Sequence, residues 1–486
     1  MWKPDERVRY LPIDCKWPTE EEAGNSPVFK PINIGPVTLE QKTWVPAMVP
    51  WRSNEAGEVT EDVIQWYERY AQGQPGAIVI EATGIRDVPS GPLLRISHDR
   101  YVESLTELVA RIKAASNNKT KVLIQIIDFL AIKRRPDRAV FLNRFLNITP
   151  EHIAHLNAYG LDEQDVRQKL IELSDDELRS VLEEREYTQL SHGYREYVTD
   201  LSLPHIAELP QVLPDLFANA AARASQAGFD GIELHYAHAY TMASFLSAKN
   251  DRADGYGGSR ETRVKLPIEV FKSVRKAVGQ NVAVGCRFLS DECIDSGSDL
   301  EDACYYAVEF AKAGMDFLSL SRGGKFDDAK QPKVGNAAYP YTGRSGYECM
   351  PGHISDDFGP FGRNIEPTDV VRKAVRGAGY TTPIVCSGGI HNFDQAEKLI
   401  SESQADIVGM ARQAMADPDW FRKVKSGNGD QVNLCEYTNY CEGLDQKHKQ
   451  VTCQLWDRKN LDEPRIAKSH DGKRRLIAPA WKKETK

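Results

Sequence analysis

The sequence lacks any long hydrophobic segment. No apolar run approaches the about 20 residues that a membrane-spanning helix needs. The first residues, MWKPDERVRYLPIDCKW, are charged and lack the apolar core of a secretory signal peptide. We therefore expect a cytoplasmic protein that has no membrane as a partner.

Positive charge is not in excess either. The 486 residues include 62 Lys and Arg against 70 Asp and Glu, which gives a net charge of -8. Nucleic-acid-binding domains carry a basic excess, so no nucleic acid is expected as a partner. Small molecules are the expected ligands, and the sequence is compatible with a homo-oligomer.

Cysteine is sparse for a chain of this length. Nine cysteines are spread over the 486 residues, and no secretory signal accompanies them. A disulfide framework is typical of short secreted domains with dense cysteines. We therefore expect free thiols.

Short β-prone apolar runs recur along the chain, and amphipathic helical patterns separate most of them. Eight alternating strand and helix units are what a closed parallel barrel requires, and this length suits such a barrel with insertions. We therefore predict an α/β fold, a (β/α)8 TIM barrel. The predicted strands are 43–48, 76–82, 121–127, 228–235, 282–288, 316–321, 382–389 and 405–412.

Three segments add to the predicted barrel, which we place at residues 28–427. An N-terminal hairpin, FKPINIGPVTLEQK, precedes the first strand and is expected to close the bottom of the barrel. A helical insertion of about residues 130–212 follows the third strand. Residues 428–486 form a C-terminal extension that contains cysteines and ends in a Lys- and Arg-rich stretch.

The insertion is strongly acidic. Residues 151–190 contain eleven acidic side chains against four basic ones. Such charge runs are typical of solvated helix surfaces, which is the interpretation we favour. A partner-binding site is one alternative. Because loops after barrel strands border the active mouth, a lid is another.

Residues 228–260 carry the strongest indication of chemistry. GFDGIEL is typical of a strand buried on both faces, and His235, His238 and Tyr240 follow at its end. TIM-barrel active sites lie at the C-terminal ends of the strands. Two imidazoles can donate hydrogen bonds to a substrate oxygen, and a phenol can deliver a proton. We predict that these three residues bind the substrate and catalyse its reaction.

The same stretch resembles the old yellow enzyme family of NADH:flavin oxidoreductases. That family ends its fourth strand in His-x-x-His/Asn-Gly-Tyr and continues to Asp-x-Tyr-Gly-Gly-Ser. The matching residues are His235, His238 and Tyr240, followed by DGYGGS at 254–259. The resemblance implies a TIM barrel that binds FMN and uses NADH or NADPH as the reductant.

The resemblance also implies a set of cofactor-binding residues. Main-chain groups after strand one, small residues after strand two, a Gln on strand three and an Arg on strand five would hold the flavin ring. Glycines after strand seven and the start of the helix after strand eight would hold its phosphate. The matching residues are Pro46, Ala47, Met48, Ala82, Gln125, Arg287, Gly388, Gly389, Ala411 and Arg412.

Several residues depart from the family pattern. Ala239 replaces the Gly before the tyrosine, and Thr241 replaces a typical Leu after it. Asp128 stands where a His often follows strand three, and Val49 stands where many members carry Thr or Cys near the flavin. These departures affect the surroundings of the motif and leave its two histidines and its tyrosine in place.

The resemblance implies that the protein reduces an activated C=C bond of an α,β-unsaturated carbonyl compound. Some relatives instead oxidise N-methyl groups, so an amine or betaine dehydrogenase or demethylase with an external electron acceptor is the alternative. A barrel that binds flavin without turnover is a second alternative. A metal-dependent barrel hydrolase with a metal site at His235 and His238 is a third, but the flanking family pattern favours flavin chemistry there.

The C-terminal extension contains a group of cysteines. Longer relatives bind a four-iron cluster here through Cys-x-x-Cys-Asn-x-Cys and a later Cys. Cys435, Cys441 and Cys453 match three of these ligands, but Thr438 occupies the second position. A hydroxyl is a poor ligand for iron, so we predict an incomplete iron–sulfur motif and no metal. A zinc site completed by His448 is the alternative.

Overall fold

The computed structural model shows a closed barrel of parallel strands with helices around it. It describes residues 13–88, 90–130, 133–193, 196–323, 333–335, 337–338, 360–445, 447–464 and 466–482. The strands are β1 (Ile32–Ile34), β2 (Val37–Leu39), β3 (Thr43–Val45), β4 (Ala77–Gly84), β5 (Lys121–Ile127), β6 (Lys133–Arg134), β7 (Gly231–Tyr236), β8 (Ala283–Leu289), β9 (Leu318–Ser321), β10 (Ala337–Ala338), β11 (Ile384–Ser387) and β12 (Ile407–Gly409).

Eight of these strands form the barrel, in the order β3-β4-β5-β7-β8-β9-β11-β12, and β12 pairs with β3 to close it. Each of the eight lies within or beside a predicted run, which confirms the TIM barrel. The strands are buried along most of their length because helices cover their outer face. Because the eight strands are parallel, their carboxyl ends meet at one mouth.

Most helices follow the amphipathic patterns between the strands. The α-helices are α1 (Glu20–Asn25), α2 (Glu61–Ala71), α3 (Val102–Ala115), α4 (Arg138–Val140), α5 (Pro150–His155), α6 (Glu163–Glu172), α7 (Asp175–Val181), α8 (Glu184–His192), α9 (Pro204–Ala207), α10 (Leu209–Gln226), α11 (Thr241–Leu246), α12 (Arg260–Arg263), α13 (Lys265–Val278), α14 (Leu300–Ala313), α15 (Ile365–Gly377), α16 (Phe393–Ser401), α17 (Arg412–Ala416), α18 (Trp420–Lys425) and α19 (Tyr440–Asp445). Apolar side chains on α10, α13 and α14 are buried against the barrel, and this outer layer leaves the mouth as the open end.

The N-terminal hairpin closes the bottom of the barrel, as predicted. β1 and β2 pair antiparallel through a two-residue turn in which Gly35 has a φ of +55°. Apolar residues of the hairpin pack against apolar residues of the barrel strands and form with them what we call the plug cluster. Its members are Ile34, Val37, Leu39, Trp44, Ala77, Val79, Leu123, Ala283, Phe317, Val385 and Ile407.

The insertion is helical, as predicted, and has a core of its own. Helices α4 to α8 lie between β5 and α10. Their buried apolar residues, among them Leu142, Val166, Leu170 and Leu178, form a cluster separate from the barrel core. The acidic residues therefore lie on the outside of a small helical unit. Its use as a lid stays a prediction.

The C-terminal extension is held against the barrel by buried arginines. Arg52 Nη2 donates to the carbonyl oxygens of Val451 and Leu476, at 2.9 and 2.7 Å. Arg69 Nε donates to the carbonyl oxygen of Ala478 at 2.9 Å. A guanidinium group offers five N–H donors, so it can satisfy several carbonyls of irregular backbone at once.

The cysteines in the described residues form no disulfides. The eight cysteines in the described part of the chain are free thiols, as predicted. Within the described ranges, no helix has both the length and the apolar character that crossing a membrane demands.

Candidate functional site

The site lies at the barrel mouth, where β7, β8 and β9 end. His235 on β7 is the register partner of Arg287 on β8, so the two side chains lie side by side on the inner face of the barrel. Arg287 Nη2 donates to Ser321 Oγ, at the end of β9, over 3.2 Å. Three neighbouring strands thus bring an imidazole, a guanidinium and a hydroxyl together.

The two predicted histidines contact each other. His235 Nε2 lies 3.2 Å from His238 Nδ1, and His238 Nε2 lies 2.9 Å from Ser321 Oγ. His238 and Ala239 have φ values of +60° and +57°, so the chain turns sharply after β7 and folds His238 back toward His235. His235 Nδ1 is buried and has no hydrogen-bond partner on another described residue.

Both imidazoles are neutral at physiological pH. Burial and the nearby Arg287 guanidinium lower the pKa of His235 to about 3. Burial also holds the pKa of His238 well below its ordinary value, with further contributions from His235 and Arg287. A neutral imidazole can donate one hydrogen bond but cannot act as a strong acid near pH 7. The histidines therefore suit the polarisation of a substrate oxygen.

Tyr240 completes the predicted trio. It precedes α11, and its half-buried ring packs edge-on against Phe129 and His235 at centroid distances of 5.2 and 5.6 Å. The structure thus brings all three predicted catalytic residues to one mouth. The role of the Tyr240 hydroxyl as the proton donor stays a prediction.

A buried carboxylate lies below the histidines, and the sequence analysis missed it. Glu233 is fully buried on β7, and Gln125 Nε2 donates to its Oε2 over 2.5 Å. Burial raises the pKa of Glu233, and the Arg287 guanidinium partly opposes this rise. A Glu inside a strand buried on both faces was the available signal, since such a group needs partners.

A cavity of about 400 Å³ opens beside these residues. This volume lies within the range of about 300–1,000 Å³ that is common for small-molecule sites. Seven of the ten predicted cofactor-binding residues line it, namely Pro46, Met48, Arg287, Gly388, Gly389, Ala411 and Arg412. His238 and Ser321 also line the cavity, which places it next to the residues at the ends of β7 and β9.

The other three predicted cofactor residues lie elsewhere around the mouth. Gln125 is hydrogen-bonded to Glu233 in the buried layer. Ala47 packs against the plug cluster, and Ala82 is buried within the main core. Their contact with a cofactor stays a prediction.

The donors around the cavity fit a flavin mononucleotide. Arg287 Nε and Nη1 are buried and have no partner among the described residues, so a ligand with acceptor atoms would satisfy them. Gly389, with a φ of +70°, lies so close to Pro360 that a Cβ would fall 1.9 Å from the Pro360 carbonyl oxygen. A bare backbone therefore forms this part of the wall, where main-chain N–H groups can meet a phosphate.

Further charged residues line the cavity, and the sequence analysis missed them. Arg322 and Arg363 add two guanidinium groups, while Glu442 and Asp445 add two carboxylates. Arg322 follows β9 directly, so its place after a barrel strand was a usable signal. Arg363 lies in a loop, and Glu442 and Asp445 lie on α19. Their distance from the motif in sequence concealed all three.

The C-terminal cysteines also come together. Cys435, Cys441 and Cys453 line a small cavity together with Thr438, and Cys441 lines the large cavity as well. Burial raises the pKa of the Cys441 thiol to about 12. Across the part of the chain that the structure describes, no group of three or more His, Cys, Asp or Glu residues is arranged to hold a metal ion. His448 stacks on Trp51, with ring centroids 4.2 Å apart.

Comparison with known proteins identifies the family. The sequence model of the NADH:flavin oxidoreductase / NADH oxidase family matches residues 27–137 and 196–431. The chain belongs to this family. The match leaves out the segment between 137 and 196, which contains α4 to α8 of the insertion. Membership confirms the resemblance that the His-x-x-His motif indicated, and it implies FMN and a nicotinamide reductant.

Individual relatives are similar over most of this chain. The NADH oxidase of Thermoanaerobacter brockii is 28% identical over 415 residues, which cover 84% of this chain and 52% of the relative. The N,N-dimethylglycine/sarcosine dehydrogenase of Chromohalobacter salexigens is 24% identical over 460 residues, covering 93% and 56% of the two chains. This chain spans about half the length of these curated relatives.

Solved structures share the fold. A 2-naphthoyl-CoA reductase in complex with 2-naphthoyl-CoA superposes with a TM-score of 0.63 at 19% sequence identity. The superposition covers 88% of this chain and 56% of the reductase. At this identity the likeness supports the barrel and its connections alone.

Proposed function

We propose that this protein is an FMN-dependent oxidoreductase that uses NADH or NADPH to reduce the C=C bond of an α,β-unsaturated carbonyl compound. The observation that carries the proposal is the placement of two neutral imidazoles and a phenol at the mouth, beside a donor-lined cavity. Addition of a hydride at the β-carbon and a proton at the α-carbon balances the reaction.

The residues around the cavity would hold the cofactor. Arg287 would donate from Nε and Nη1 to acceptors of the flavin ring. The backbone at Gly388 and Gly389 and the Arg412 guanidinium would hold the phosphate. When bound, FMN supplies the hydride chemistry, because it accepts a hydride from NAD(P)H and donates one to the substrate.

The imidazoles polarise the substrate. Hydride addition at the β-carbon places negative charge on the carbonyl oxygen, and fixed hydrogen-bond donors stabilise that charge. His238 lines the cavity and contacts His235, whose Nδ1 has no hydrogen-bond partner on another described residue. Because both rings are neutral, this stabilisation does not depend on histidine protonation near pH 7.

Tyr240 delivers the proton. Its ring contacts both His235 and Phe129, which hold it at the mouth. After the substrate carbanion accepts the phenolic proton, solvent at the half-buried ring can return one to the oxygen. Loss of a general acid typically lowers the rate by about 10²-fold or more.

The first test is the visible absorption spectrum of the purified protein without oxygen. We expect a flavin band that bleaches with NADH or NADPH and returns when an enone is added. Tyr240→Phe should bleach normally and reoxidise with the enone about 10²-fold more slowly. Tyr256→Phe, whose hydroxyl contacts Glu269 outside the cavity, is the matched control. Bleaching without return for any enone would contradict the proposal. A flavin that stays oxidised with both nicotinamides would also contradict it and would favour amine oxidation or a barrel that binds flavin without turnover.

A second candidate function is the oxidation of an N-methyl amine with an external electron acceptor. Two observations favour it, namely the similarity to a dimethylglycine/sarcosine dehydrogenase and the carboxylates of Glu442 and Asp445 in the cavity wall. A cationic amine would be attracted by these carboxylates. Bleaching of the flavin by N,N-dimethylglycine or sarcosine, with no bleaching by NADH or NADPH, would support this function over alkene reduction.

A further inference from the structure

Two of the residues that depart from the family pattern contact each other. Thr241 Oγ1 donates to Asp128 Oδ2 over 2.6 Å and lies 3.2 Å from the Asp128 carbonyl oxygen. The residues are separated by 113 positions in the chain, and both are fully or almost fully buried. A buried carboxylate paired with a buried hydroxyl links the end of β5 to the start of α11.

Arg86 is the third member of this group. Its Nε donates to Asp128 Oδ1 over 2.5 Å, from the segment that follows β4. The backbone N–H of Leu130 adds a hydrogen bond of 3.3 Å to Asp128 Oδ2. Asp128 thus joins the ends of three neighbouring strand units through a charge-assisted network, which is stronger than one of neutral groups.

The network holds Tyr240 from two sides. Thr241 directly follows Tyr240 in the chain. Phe129, which directly follows Asp128, packs edge-on against the Tyr240 ring at 5.2 Å. The turn before Tyr240 contains two non-glycine residues with positive φ, His238 and Ala239, and such a conformation persists only where its surroundings enforce it.

We propose that Asp128, Thr241 and Arg86 form a positioning set that fixes the Tyr240 hydroxyl for proton delivery. This inference rests on the proposed alkene reduction for its kinetic consequence. None of the three side chains transfers the proton. Without the set, the turn at 238–240 samples other conformations and Tyr240 spends less time in the productive one.

Half-reactions measured separately by stopped-flow absorbance test the positioning set. Thr241→Val removes the hydroxyl at nearly constant volume, and Asp128→Asn removes the charge. Flavin reduction by NADH or NADPH needs no proton from Tyr240, so both variants should keep it within about twofold of the wild-type rate. Reoxidation by an enone should slow about tenfold or more, because a hydrogen bond to a charged group is lost.

Two controls separate positioning from general destabilisation. Thr241→Ser restores the hydroxyl and should recover most of the reoxidation rate. Thr106→Val, which removes a hydroxyl bonded to the Val102 carbonyl on α3, should leave both half-reactions unchanged. Equal slowing of both half-reactions in Thr241→Val, or no slowing of either, would overturn the inference.

A second measurement does not require the proposed function. The protein is labelled with 3-fluorotyrosine, and the ¹⁹F resonance of Tyr240 is assigned from its loss in Tyr240→Phe. We expect one narrow resonance in the wild type, a broadened or divided one in Thr241→Val and Asp128→Asn, and recovery in Thr241→Ser. Unchanged resonances in both variants would overturn the positioning set. If the wild type reduces no enone, the proposed function fails and this spectrum alone decides the inference.

Discussion

The lower and upper halves of the barrel interior are built by the same strands but from different chemistry. In the lower half, Trp44 and Phe317 pack within the plug cluster at a ring distance of 5.2 Å. In the upper half, Glu233, His235 and Arg287 are polar or charged, and each keeps a buried atom that has no hydrogen-bond partner among the described residues. One half is filled by apolar packing, while the other is polar and borders a cavity.

Single strands show how this difference arises. On β8, Ala283 belongs to the plug cluster, Gly285 packs against Phe317, and Arg287 lines the cavity. A Cβ on Gly285 would lie 2.2 Å from the Phe317 carbonyl oxygen, so packing alone excludes a side chain there. Residues two apart point to the same face. Ala283 in the plug cluster and Arg287 in the cavity wall are thus only four positions apart on one strand.

The largest expected effect is on the filled half. Phe317→Ala should lower the free energy of unfolding by about 3–5 kcal/mol, because it leaves a hole in a packed cluster. Urea unfolding followed by circular dichroism measures this change. Phe145→Ala, at a residue that is 61% exposed on the insertion, is the control and should change stability by about 0.5 kcal/mol or less. Similar losses in both variants would remove the contrast between filled and open regions.

Changes in the polar upper half of the barrel should alter the affinity for FMN. Arg287→Met removes two donors that have no partner among the described residues, so the affinity for FMN should fall by about 10- to 100-fold, equivalent to about 1.5–3 kcal/mol. Titration of the apoprotein with FMN, followed by flavin fluorescence, gives the affinity. Arg260→Met, which removes an exposed ion pair with Glu301, should leave it unchanged. Unaltered affinity in Arg287→Met would show that the guanidinium does not face the cofactor.

The open half should also make stability depend on pH. The folded state lowers the pKa of His235 to about 3, whereas the unfolded chain binds that proton near pH 6.5. The free energy of unfolding is therefore not reduced by His235 above about pH 6.5. It falls between pH 6.5 and about pH 3, by up to about 1.4 kcal/mol per pH unit from this residue. Urea unfolding at pH 7.5, 5.5 and 4.5 should show a shallower fall in His235→Asn. His98→Asn, on the exposed surface, should keep the wild-type slope, and a steeper fall in His235→Asn would contradict the assignment.

The smallest expected effect is on the free energy of unfolding and comes from the turn at 238–240. Ala239 has a φ of +57°, which favours glycine. Ala239→Gly should raise the free energy of unfolding by up to about 1 kcal/mol, since relief of strain exceeds the added entropy of the unfolded chain. Ala243→Gly in α11 is the control and should lower it by about 1 kcal/mol. A loss of stability in Ala239→Gly would show that this turn carries no strain.

The barrel could be predicted from the sequence because its signals are local. Each barrel strand appears as a short apolar run, and the predicted 121–127 coincides with β5. Strand ends were less accurate, as at 405–412, where β12 covers only Ile407–Gly409. The residue at which a strand ends depends on its hydrogen bonds to the neighbouring strands. The apolar run in the sequence does not contain that information.

The site could be predicted only where its residues are close in sequence. His235, His238 and Tyr240 lie within six positions and act at one strand end, so a motif describes them. Gln125 and Glu233 are 108 positions apart, and their hydrogen bond depends on the pairing of β5 with β7. The same holds for Asp128 and Thr241, which the sequence showed only as two separate departures from the family pattern.

The sequence by itself determined the barrel, the family and the three residues at the end of β7. Apolar periodicity and a contiguous motif are properties of the chain before it folds. The tertiary structure alone decided the neutral state of the imidazoles, the Arg287 donors that no described residue pairs with, and the link from Asp128 to Thr241. These properties depend on burial and on contacts between distant segments, and both arise only when the strands close into a barrel.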